Sequence, residues 1–161
     1  MNNKEKIEEF KPLPIEVIHK EIDLIQDIIK RMSQNSFFIK GWAIALTAAT
    51  LVFVSKFVTI HHFAFVGLSI ALLALWALDA LYLKNECLYR KWYDFCIINS
   101  RHKTCEWKYQ LNAKNINQIM KDVPIKHIND KVPSYLKCFL NKTLTIFYIG
   151  LLALSIAAAF I

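Results

Sequence analysis

Apolar residues in this 161-residue chain fall into uninterrupted blocks, and the charged stretches between them keep a helical rhythm. Gly41–Ser55 carries no charge, and Phe37–Ile39 lengthens it to a membrane span if Lys40 and Lys56 snorkel towards water. Phe63–Leu78 is a second uncharged run, extending to Leu83 with Asp79 as its one charge. Thr143–Ile161 is a third, 19 residues long. A helix of that length rises about 28 Å, close to the roughly 30 Å hydrocarbon core of a bilayer. The pattern predicts an all-α integral membrane protein with three transmembrane helices and long helical extensions.

The charged stretches are patterned too. Ile15, Ile18, Ile22, Ile25, Ile29 and Met32 recur at steps of three and four, a narrow seam that runs on into Ser36, Ile39, Ala43 and Leu46. One long helix from about residue 15 through the first span follows. Its seam faces either the same helix of another subunit or this chain's own segment 84–120. Beyond the second span, Leu88, Trp92 and Phe95 keep the period, so helix is expected to about Asn99. Residues 100–120 favour helix with poorer periodicity. Val123-Pro124 and Val132-Pro133 mark an extended connector. The chain thus divides into a tail and amphipathic helix (1–36), a transmembrane hairpin (37–83), a basic helical segment (84–142) and a terminal span (143–161).

Composition agrees with the blocks: 55% of residues are hydrophobic. Charge adds orientation. Residues 1–40 hold seven basic and seven acidic groups, whereas 84–142 hold twelve basic against five acidic. The positive-inside rule places the N-terminus and 84–142 in the cytoplasm, with the 57–62 turn and the C-terminus outside. No cleavable signal peptide is expected, because the first apolar block lacks a small-residue cleavage site. The net charge of +7 resides in 84–142, and it serves either attraction to anionic lipid or recognition of a phosphate-bearing ligand.

Lys40 and Asp79 lie equally far from residues 59–60, the centre of the hairpin, so they are expected to meet at the cytoplasmic boundary. Ionisable residues at membrane depth are functional candidates. The pair is either a lock on hairpin register or a gate. Gly41, Ala45 and Ala49 offer a small-residue face for close helix approach, and Thr47 and Thr50 are candidate pore-lining residues.

LYRKWYDF interleaves cations with rings, as single-strand binders do, although an interfacial aromatic belt has the same composition. His61-His62 reads as an interfacial turn or a proton sensor. Cys87, Cys96, Cys105 and Cys138 have no zinc-like spacing, so no metal is expected. No nucleotide-binding P-loop, serine-hydrolase elbow or zinc-protease motif occurs, and neither an enzyme activity nor a cofactor is expected.

IQDIIKRMSQNSFFIKGWAIAL leading into a tight hairpin, with LWALDALYLKNECLYRKWYDF as its exit, resembles the SLATT-type membrane effectors of bacterial antiphage systems, including Hailong-like ones. The resemblance covers roughly residues 15–100. It implies a homo-oligomeric pore, a tetramer in this reading, that depolarises the bacterial inner membrane. Control would come from an anionic nucleotide or short single-stranded oligonucleotide made by a partner nucleotidyltransferase. Contacts to that ligand would fall among Lys84, Arg90, Lys91, Arg101, Lys103 and Lys108. The competing reading is a non-conducting anchor that recruits a cytoplasmic partner. A transporter component is a weaker third, since no broken helix with a binding site is legible.

Overall fold

The computed structural model describes residues 15–55, 61–102, 111–122 and 133–159. Five helices appear in chain order: α1 (Ile15–Val54), α2 (His61–His102), α3 (Ala113–Asp122), α4 (Tyr135–Phe139) and α5 (Lys142–Ala159). No strand occurs among the described residues.

α1 runs unbroken for 40 residues and α2 for 42, each about 60 Å long, or twice the hydrocarbon thickness. No proline interrupts either helix, and Gly41 alone is too weak a breaker to stop α1. α2 ends three residues beyond Asn99. α3 and α5 start on asparagine caps: Asn112 Oδ1 accepts the Lys114 N–H, and Asn141 Oδ1 accepts the Thr143 N–H at 3.0 Å. The connector expected to be extended holds a short helix at its end, α4, which starts just after Pro133 and the extended Ser134. The first proline pair, at 123–124, lies outside the described residues.

α2 is the spine, packing against all four other helices. α1 and α2 form an antiparallel hairpin whose register is visible at two distant points. Lys40 contacts Asp79, and Gln26 Nε2 donates to Tyr93 Oη at 3.1 Å. Both pairs are equidistant from residues 59–60, so one register holds along about 21 Å of helix.

Two cores follow. The one between the apolar stretches joins Ala43, Phe65, Leu68, Leu72, Trp76, Ala80, Leu144 and Tyr148. The other, beyond them, joins Ile25, Leu88, Tyr89, Trp92, Phe95 and Ile116. Ile25 is fully buried there, with Ile28 and Ile29 against it. Between the two packings open to the isoleucine seam, its centre takes the chain's own segment 84–120. The seam drifts as it climbs: Thr47 is buried where Leu46 was expected, and Leu46 is 40% exposed. A straight helix turns once per 3.6 residues, so a seam begun at a 3.5 period slips by one position over about ten turns, nearly the length of α1.

Three helices are long and apolar enough to cross a membrane. Their outer faces carry Phe37, Trp42, Val52, Phe63, Ile70 and Ile146, each more than half exposed. Such a continuous apolar girdle suits lipid or another copy, and not water.

Candidate functional site

All three apolar helices meet at one carboxylate. Asp79 occupies the buried stripe of α2, after Phe65, Leu68, Leu72 and Trp76 at steps of three and four, where a leucine would serve packing. It is wholly inaccessible to solvent. Its Oδ2 lies 2.7 Å from Lys40 Nζ on α1 and accepts the Tyr148 hydroxyl of α5 at 3.2 Å. Its Oδ1 accepts from Ser36 Oγ on α1. Lys40 also donates to Ser36 Oγ at 2.7 Å, closing a triangle of ammonium, hydroxyl and carboxylate.

The hairpin helices lean their side chains opposite ways, and the long Lys40 side chain spans the difference. Side chains lean towards the N-terminus of their own helix. Lys40 therefore reaches back one turn to Ser36, towards the polar end, and keeps a quarter of its side chain exposed. Asp79, on the antiparallel α2, leans the other way into the apolar core. Tyr148 leans towards the start of α5 and meets it there. Charge balance does the rest, since a lone buried carboxylate would cost several kcal/mol.

An aromatic stack buttresses the clamp. Trp76 lies between Tyr148 (5.8 Å, 9° between planes) and Phe139 (4.4 Å, 13°). Its Nε1 donates to the Phe139 carbonyl at 3.0 Å, while Tyr135 Oη donates to the Ala77 carbonyl. α4 is thereby fastened to α2 within a turn of Asp79.

The other sequence-derived candidates scatter. Thr47 is buried inside the chain and its hydroxyl donates to the Ala43 carbonyl at 2.8 Å. The drift of the seam places it among this chain's own helices. Thr50, half-buried, donates to the Leu46 carbonyl in the same way. Gly41, Ala45 and Ala49 face outward, with open space where a side chain at Gly41 would sit. Arg90 is paired with Glu86 one turn back, at 2.9 Å through Nε and 2.7 Å through Nη2. Lys84 and Lys91 are seven residues apart and share a face of α2, whereas Arg90 lies about a third of a turn away. These three cations form no single cluster. The Arg101 side chain, Lys103, Lys108 and Cys105 lie outside what the structure describes. No group of three metal-ligating side chains occurs among the described residues.

Ser36 and Tyr148 were missed as partners of Asp79. Ser36 sat on the seam one turn before Lys40, and carrying the depth count into the third span would have led to the level of Tyr148. No family model matches this chain, and no curated protein or solved structure does.

Proposed function

We propose that this chain is a SLATT-like effector of bacterial antiphage defence. It sits in the inner membrane, with its N-terminus cytoplasmic and its C-terminus periplasmic, and further copies complete an ion-conducting pore with it. The observation that carries this reading is the Asp79 clamp, a fully buried carboxylate of α2 held at the end of the apolar region by groups from both other long apolar helices. Ionisable groups at that depth are costly, and selection tolerates them where they act.

In this reading the clamp holds the closed state. Swinging a two-state equilibrium from 1:99 to 99:1 requires a ligand to favour one state by about 5.5 kcal/mol. Charge-assisted contacts to phosphate supply roughly 1.5–3 kcal/mol each, so about two to four suffice. The ligand is an anionic nucleotide or short oligonucleotide from a partner nucleotidyltransferase. Lys84 and Lys91, on one face of α2, are its candidate contacts.

Purified chain in liposomes tests the proposal. Ion flux that responds to candidate nucleotides, and that changes severalfold in Asp79→Asn, is the expected result. Absence of flux with and without ligand sinks the pore, and unchanged flux in Asp79→Asn sinks the gate. The second reading is a non-conducting anchor, in which the same Asp79 contacts are a static lock on hairpin register.

A further inference from the structure

Between the polar halves of α1 and α2 lies a cleft of about 1020 Å³, whose lining changes character along its length. At one end stand Phe37 and Phe38, 75% and 63% exposed, where the apolar stretch of α1 begins. At the other stand Gln26, Lys30, Arg90 and Asp94. From Phe37 to Lys30 is seven residues, about 10 Å of rise, comparable with the headgroup layer of roughly 5–8 Å on each side of a bilayer.

Depth decides which cation matters. By the hairpin register Arg90 is level with Ile29, and its guanidinium leans back to Glu86, which is level with Ser33. That is one turn, about 6 Å, from Phe37. Glu86 occupies Nε and one Nη2 proton, leaving Nη1 and the second Nη2 proton as donors. Lys30, exposed on α1, has no carboxylate partner among the described residues. Among the lining residues Lys30 and Arg90 stand against one acid, Asp94.

We infer that this cleft binds a glycerophospholipid, with its phosphate between Lys30 and Arg90 and its acyl chains against Phe37 and Phe38. A nucleotide can also stack its base on a ring, but Phe37 and Phe38 stand where the apolar stretch of α1 begins, at the level that acyl chains reach. A lipid uses both the cations and the rings. The inference rests on the membrane location proposed above.

Native mass spectrometry of the full chain in dodecyl maltoside, titrated with phosphatidylglycerol, tests it. Lys30→Gln/Arg90→Gln is expected to weaken lipid retention about tenfold, and Lys30→Gln alone by a smaller factor. The charge-matched control Lys20→Gln/Lys114→Gln, at exposed positions away from the cleft, is expected to match the parent. Diacylglycerol, which lacks the phosphate, is expected to be lost from all of them. Equal phosphatidylglycerol retention by the parent and the cleft variant overturns the site, as does retention of diacylglycerol to the same extent. Displacement of the lipid by sodium phosphate or ATP at matched concentration also overturns it, pointing to a soluble anion. Carbonate extraction separates the two proposals. A chain that stays in membranes but retains lipid equally loses only the lipid site, and a chain that washes out loses both.

Discussion

Tyr148 on α5 donates its hydroxyl to Asp79 on α2, the same carboxylate that Lys40 and Ser36 reach from α1. The third apolar helix is therefore tied to the hairpin by a polar contact as well as by apolar packing, and changes at this one acid register in all three helices.

Removal of either charge breaks the same ion pair, but the two losses are unequal. Lys40→Met strands a carboxylate with no solvent access, costing about 3–5 kcal/mol. Asp79→Asn leaves a lysine that is already a quarter exposed and can snorkel, so it costs less. Lys40→Met/Asp79→Leu should recover most of the loss, because a buried pair replaced by apolar groups is often neutral. Unfolding in detergent, followed by circular dichroism, gives the order; the reverse order, or simple additivity, refutes the account.

Tyr148 serves through its ring and its hydroxyl separately. Tyr148→Phe should cost about 1 kcal/mol, for one hydrogen bond. Tyr148→Leu should cost a further 0.5–1.5 kcal/mol or so with the loss of stacking on Trp76. Equal effects of the two substitutions in the same unfolding assay would show that the hydroxyl alone matters.

Thr47→Val should change stability by less than about 1 kcal/mol, because the hydroxyl bonds only a carbonyl that its own helix already uses. Thr47→Phe should cost roughly 1–3 kcal/mol by overpacking. Should liposome flux be observed, Thr47→Val should leave its selectivity alone; a changed reversal potential would return Thr47 to a pore wall.

Burial pushes the Cys138 thiol up from its ordinary value, the largest of the influences on it, with nearby Lys84 and Lys137 opposing. A raised pKa lowers the thiolate fraction at any given pH, and thiolate is the species that alkylates. In a variant with Cys138 as sole cysteine, iodoacetamide labelling at pH 8 should be slow when folded and accelerate on denaturation. Equal rates would show the site to be open.

Much of this arrangement was legible before any coordinates. Apolar blocks of span length, a seam at helical spacing and the absence of a breaker are local properties, and α1 follows from them almost to the residue. The depth match of Lys40 with Asp79 was legible as well. A two-helix hairpin has one register, and rise per residue is constant, so counting from the turn is geometry. The angular spread of Lys84, Arg90 and Lys91 was legible too, since 100° per residue turns Arg90 away from the face that Lys84 and Lys91 share.

What the sequence by itself determined was where helices run, how long they are and which residues of the hairpin share a level. Each depends only on helical rise, breakers and the cost of exposing polar backbone to hydrocarbon. Which face of each helix turns inward was decided by the tertiary structure. It put Ile25 against Trp92, moved the buried stripe from Leu46 to Thr47, and brought Ser36 and Tyr148 to Asp79. Rotation about a helix axis is set by side-chain interlocking with neighbours distant in the chain. In helices that are apolar all round, the one-dimensional pattern holds almost no record of it.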